Sequence, residues 1–381
     1  MTREGQTKLG LLAAICLALF GSTTSASAAG TYVAAPGGSG TTCSDSLPCT
    51  VYQARNSAVS DPGSTILLKP GTYNLNAPGG TLGLSGTFTM MPAVAGTRPE
   101  LKSTDASNIQ ISSAGVTIQD LRIDVSGLGG SGRALDFQAA GTAKRVDVVA
   151  AGTSPIGVLV KNGATLTDST VWNQSNNGTA IIGGGSGGTV RNVTAIASGT
   201  PNSVGINANG SFGPNPQVLT VENSIARGSS QDLAASGGTS SGAVVLNVQN
   251  SDYGPVFTNA PNAVINDLGG HTTDAPSFVN AAGGDFHQLA GSPTIERGAV
   301  LAGLSSLDFD GGPRVVNSGS TCTGLPDIGA DEFATDATPA SCHPPAPPAA
   351  ATPSAKHKCK KKHKKRAAVA KKKCKKKKKR R

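Results

Sequence analysis

The sequence predicts an all-β chain wound as a right-handed parallel β-helix, and three observations point there. The composition suits short strands and turns. A short motif ending in alternating apolar residues recurs through the middle of the chain. A second apolar column recurs between the copies. Of 381 residues, 50 are Gly, aromatics make up 4% and charged residues 15%. So much Gly, with abundant β-branched residues, makes long helices costly.

Six segments align: Ile118–Ile123, Ala143–Val148, Leu166–Val171, Val190–Ala195, Val221–Ala226 and Val248–Tyr253. Their third positions are Asp120, Arg145, Asp168, Asn192, Asn223 and Asn250, spaced by 25, 23, 24, 31 and 27 residues. Between them lie Ala134–Phe137, Gly157–Val160, Ala180–Gly183 and Gly205–Ala208. Each repeat therefore holds at least two short strands with alternating inward residues. One such unit cannot bury its own apolar face, but stacked units can, each strand pairing with its equivalent about 4.8 Å away. A leucine-rich repeat would need a recurring Leu framework, which is missing. A β-sandwich does not require equivalent positions to recur across six units.

The apolar phase slips at the third position. Residues 118, 121 and 123 alternate only if Asp120 occupies a bend. Asn and Asp tolerate left-handed backbone, and stacked amides form ladders. Asp120, Asp168, Asn192, Asn223 and Asn250 are accordingly expected to form a structural ladder rather than a catalytic or calcium-binding row.

At the N-terminus, Arg3 and Lys8 precede the apolar run Leu9–Phe20, and Ala26-Ser27-Ala28 offers small residues for cleavage after Ala28. The chain is expected to be exported, and no later segment could cross a bilayer. Cys16 leaves with the signal. Six cysteines remain, and in an exported chain they suggest disulfides, with Cys43/Cys49 and Cys322/Cys342 as the favoured pairs and Cys359 and Cys374 in the tail.

The formal charge of +10 conceals two parts. Residues 356–381 hold 18 of the 33 Lys and Arg and no acid, leaving 15 basic against 23 acidic residues, or −8, elsewhere. The tail is expected to be disordered and to bind cell-wall or other extracellular polyanions. Without a base-reading element, any contact with nucleic acid would be nonspecific and salt-sensitive. Residues 335–355 are Ala-, Pro- and Thr-rich, as expected of an extended spacer.

Tyr32-Val33-Ala-Ala-Pro-Gly-Gly-Ser-Gly, Thr50–Val59 and Pro62–Tyr73 resemble the entry into the coil of secreted bacterial β-helix proteins of the pectate-lyase-like superfamily. The resemblance implies a short capping helix at Val51–Val59, a first strand at Ile66–Leu68 and a turn at Pro70-Gly71. Asp285–Gly298, Asp308–Arg314 and Pro326–Phe333 are similar to the choice-of-anchor Q domain, which closes such coils before a surface-anchoring device. Asp331 stands where that family usually has an aromatic residue. The boundaries implied are a signal over 1–28, coil and cap over 29–280, a closing domain over 281–334, spacer over 335–355 and tail over 356–381.

This ancestry raises polysaccharide lyase or glycoside hydrolase chemistry as the alternative to a noncatalytic structural or glycan-binding role. The outward column before the bend runs Gln119, Lys144, Thr167, Arg191, Glu222 and Gln249, and that after it Arg122, Asp147, Thr170, Thr194, Ile225 and Asp252. Lys144 and Arg191 would lie two rungs, about 10 Å, apart. With Trp172, the only Trp, they are the candidate contacts for an acidic sugar. No nucleophile–base pair or paired-Asp motif accompanies them, so no catalytic residue is assigned. No cofactor is expected. Calcium is the alternative if His287, Asp308, Asp310 and Glu332 converge, although Asp308 and Asp310 also suit the turn before Gly311-Gly312.

Overall fold

A computed structural model describes residues 28–76, 80–238, 242–316 and 324–333. Residues 1–27 with the expected signal, Cys322, Cys342 and the expected spacer and tail lie outside the described residues. Within them the chain is a parallel β-helix with three faces. The first face stacks Ser64–Leu68, Thr87–Pro92, Gly115–Gln119, Thr142–Lys144, Gln217–Glu222, Val244–Gln249 and Ala263–Asp267. The second stacks Thr72–Asn74, Glu100–Ser103, Arg122–Leu128, Asp147–Gly152 and Ile225–Gly228. Ala164–Asn173 and Gly188–Ala197 run through the bend and serve both faces, so the two form one 15-stranded sheet. The third face has eight strands, from Leu82–Leu84 to Val256–Thr258.

Register makes the sequence columns physical. Ile118 pairs with Ala143, Ala143 with Leu166, Leu166 with Val190 and Val190 with Val221. On the third face Leu135 pairs with Val158, Val158 with Ile181, Ile181 with Ile206 and Ile206 with Leu233. All of these side chains are fully buried, so each rung's apolar set is sealed by the next.

The bend residues Asp120, Arg145, Asp168, Asn192, Asn223 and Asn250 all have φ between +46° and +57°. That turn lets Ile118, Leu121 and Ile123 all face inward. The side chains do not run as one amide ladder. Asn192 donates to Asp168 at 2.9 Å, whereas Arg145 grips Asp120 through two bonds of 2.6 and 2.8 Å. Asn223 turns instead to the backbone of Ala299.

A second device, present on some of the rungs, lies one residue later. Ser169, Ser224 and Ser251 accept from the backbone N–H of Val146, Val193 and Ser224 on the preceding rung, at 3.0–3.1 Å. Each hydroxyl donates to the carbonyl two residues back, in Thr167, Glu222 and Gln249. The bend interrupts the strand ladder, and these hydroxyls satisfy N–H groups that would otherwise be buried unpaired. Ser224→Ala should cost about 1–3 kcal/mol, because it orphans the buried Val193 N–H. Urea denaturation checks this, and a loss below a few tenths of a kcal/mol would refute it.

The N-terminal end is closed by the helix Val51–Val59, which lays Val51, Ala54 and Ala58 on the first coil. Thr50 and Gln53 form a reciprocal capping box that fixes where it starts. The strand Thr31–Ala34 precedes Ser64–Leu68 in the first-face stack, so Ile66–Leu68 is not the first strand of the sheet. Cys43 and Cys49 are joined in a disulfide.

The other end differs from a coil closed by the 281–334 segment. Val256–Thr258 and Ala263–Asp267 each pair on one side only among the described residues, and Val256, Phe257, Val264 and Leu268 stay exposed. The closing segment runs back along the second face. Ala330 N–H bonds Thr194 Oγ1 at 3.0 Å, and Gly329 N–H bonds the Asn223 carbonyl at 2.8 Å. Gly329 has φ +113°, and a Cβ there would meet Ile225 Cδ1 at 2.8 Å. Only Gly permits this close a seat.

Candidate functional site

The closing segment is seated on the second face by its own buried side chains and by groups of the coil. Arg314, from the segment itself, is fully buried against the coil. Its guanidinium donates to Asp168 Oδ1 at 3.0 Å and to the carbonyls of Gly329 and Ala330. Glu332, also buried, lies 3.8 Å from the same guanidinium. Burial pushes the Glu332 and Asp327 carboxyls up, with the like charge of Asp327 adding to the rise at Glu332 and that of Asp331 adding to the rise at Asp327. Arg98, from the turn before Glu100, stacks 3.6 Å over the Phe309 ring and donates to the Phe309 carbonyl at 2.7 Å.

These contacts decide the fate of the candidate sugar-binding residues. Trp172 packs edge-on against Phe286 at 5.9 Å and donates to Ser198 at 2.9 Å. A Cβ on Gly284 would lie 2.5 Å from its ring, so the closing segment lies against the indole. Arg191 is ion-paired to Glu222 at 2.6 Å and bonds the Gly303 carbonyl at 2.8 Å. Lys144 remains half-buried between Gln119 and Thr167 in the first-face register. The three do not share one free surface. The reason is that the closing segment docks on their side of the coil, which nothing in the repeat pattern signals.

Between the coil and the closing segment a cleft of about 240 Å³ stays open, lined by Arg98, Asp147, Thr170, Phe286, His287 and Asp331 among others. Asp147 is fixed by ion pairing with Arg122 and by the Thr170 hydroxyl at 2.7 Å. His287 lies between two carboxylates, with Nδ1 2.5 Å from Asp285 and Nε2 2.7 Å from Asp310. Hydrogen bonding to Asp310, and after it to Asp285, pushes its pKa up to about 10, while His287 draws both partners down. Burial lifts the carboxyls of Asp308 and Asp331.

The four residues considered as an oxygen-rich cation site do not converge as a set. Asp308 accepts from the backbone N–H of Asp310 and Gly312, holding the turn. Glu332 accepts from the N–H of Asp327 and Val316. His287 and Asp310 do come together, joined by Asp331, with one ligating atom from each lying within 4.8 Å of the others. In the sequence Asp331 stands out only as a departure from the choice-of-anchor Q pattern, with no sign that it lies near His287. A calcium ion asks for six to eight oxygens, so a set centred on an imidazole fits it poorly.

No family model matches the sequence, and no curated protein matches it. No helix among the described residues is long and apolar enough to cross a membrane. Among solved structures, the chain is similar to pectate lyase Pel9A, at 16% identity and a TM-score of 0.44, covering 80% of this chain and 96% of that one.

Proposed function

We propose that this chain is an exported, surface-associated and noncatalytic β-helix that binds short acidic glycan groups in the cleft and is retained by its polybasic tail. One observation carries the reading: the second face, along which a polysaccharide could lie, is occupied by the chain's own closing segment. What remains open is smaller than the about 300–1,000 Å³ of ordinary small-molecule pockets, and so suits a glycan end or a single residue. The cleft offers Arg98 as a cation for a carboxylate.

The same cleft is poorly arranged for lyase chemistry. A lyase needs a base that accepts a proton near neutral pH. His287 is held protonated by its two carboxylates, and the Arg98 guanidinium is tied to Phe309. A glycan array run beside a product assay tests the reading. Salt-sensitive binding to acidic glycans without product is expected. Deleting residues 356–381 should release the protein from cells and leave glycan binding intact. Product formation, or unchanged retention after truncation, would overturn the corresponding part.

A further inference from the structure

We propose that His287, Asp310 and Asp331 form a binding site for one divalent first-row transition-metal ion, with Asp285 orienting the imidazole. The site stands on geometry and does not depend on the glycan reading.

The three ligands come from separate pieces of the closing segment, and each piece is fixed by its own bonds. Asp331 Oδ2 accepts the Gln288 backbone N–H at 2.9 Å, which ties it to the strand carrying His287. Asp310 sits in the turn that Asp308 organises through two backbone N–H groups. His287 is held by Asp285 twice, at its backbone N–H and at Nδ1. The arrangement is therefore built before any ion arrives.

The two ring nitrogens have different surroundings. Nδ1 faces Asp285, and Nε2 faces Asp310. This is the division found in metal-bound histidines, where a carboxylate on one nitrogen sets the tautomer and the other nitrogen ligates. Nε2 and Asp310 Oδ2 lie 2.7 Å apart, and a metal ion would sit between them.

Zinc–ligand bonds of about 2.0–2.2 Å set tetrahedral ligand atoms roughly 3.3–3.5 Å apart. Atoms already within 4.8 Å reach that spacing by side-chain rotation. The cleft beside them leaves the remaining coordination positions to water or to an anionic ligand group. One imidazole with two carboxylates suits zinc, manganese or cobalt better than calcium.

The test uses the full chain, stripped of metal and titrated calorimetrically with zinc, with calcium as control. One equivalent should bind through this site, and His287→Ala and Asp310→Asn should each weaken that equivalent at least tenfold. Asp285→Asn should weaken it less while leaving the stoichiometry unchanged. The tail also carries Cys and His, so cobalt loading of the unaltered chain supplies a second readout. Visible d–d bands without a thiolate charge-transfer band mark nitrogen and oxygen ligation. A thiolate band alone, zinc affinity unchanged in His287→Ala, or a response to calcium and none to zinc would each overturn the proposal.

Discussion

Arg314→Met is expected to loosen the closing segment from the coil at a cost of about 3–5 kcal/mol, the usual penalty for removing one partner of a buried ion pair. Arg314 is the fully buried cation beside two buried carboxylates, Asp168 in the coil and Glu332 in the closing segment. Removing it strands the Asp168 charge, takes away the guanidinium beside Glu332 and also frees the carbonyls of Gly329 and Ala330. The coil should survive, since its strands pair with neighbouring rungs and none of its described strands pairs with residues beyond 267. Trp172 is the sole Trp and rests against Phe286 of the closing segment, so its fluorescence reports detachment. In urea the variant should lose the signal of packed, half-buried Trp172 well before it loses β-sheet circular dichroism. Adding Asp168→Asn should restore part of the loss, because the stranded charge is gone. An unchanged fluorescence midpoint in Arg314→Met would sink this account of the docking.

The coil was largely legible in the sequence because its physics is periodic. Ile118, Leu121 and Ile123 announced both the stack and the bend, since no straight strand buries all three. The capping helix over Val51–Val59 was implied by the resemblance of the entry segment, and an open coil end needs such a cover. The serine step was not read. Ser169, Ser224 and Ser251 share their column with Leu121, Val146 and Val193, so the position shows no consistent type. Nor could the docking of the closing segment be read. A segment outside the repeat carries no register, and the pairing of Arg314 with Asp168 or Phe286 with Trp172 is settled only by three-dimensional fit. For the same reason Trp172 and Arg191 looked like free outward groups. Outward in a solenoid means away from the coil interior, which leaves open whether another part of the chain lies there.

The same interface should weaken as pH rises, in protein freed of metal. Burial raises the pKa values of Asp308, Asp327, Asp331 and Glu332, so these carboxyls hold protons in the docked state more tightly than when exposed. A raised value contributes stability that is complete below the ordinary carboxylate range, near about pH 4, and is lost as pH climbs through the raised values. His287 acts in the same direction at higher pH, its contribution fading as pH rises through about 10. Asp285 and Asp310 have lowered values and oppose this only at strong acidity, where their contribution is lost as pH falls. Docking should therefore be tighter at pH 5 than at pH 9, by on the order of 2 kcal/mol, each pKa unit being about 1.4 kcal/mol. Glu332→Gln isolates the buried carboxyl, since the amide imitates its protonated form at every pH. The variant should match the parent at pH 5 and exceed it at pH 9, read as the urea midpoint of Trp172 fluorescence. A parent midpoint that rises with pH would mean that these carboxyls are docked as anions, neutralised by Arg314 more fully than burial penalises them.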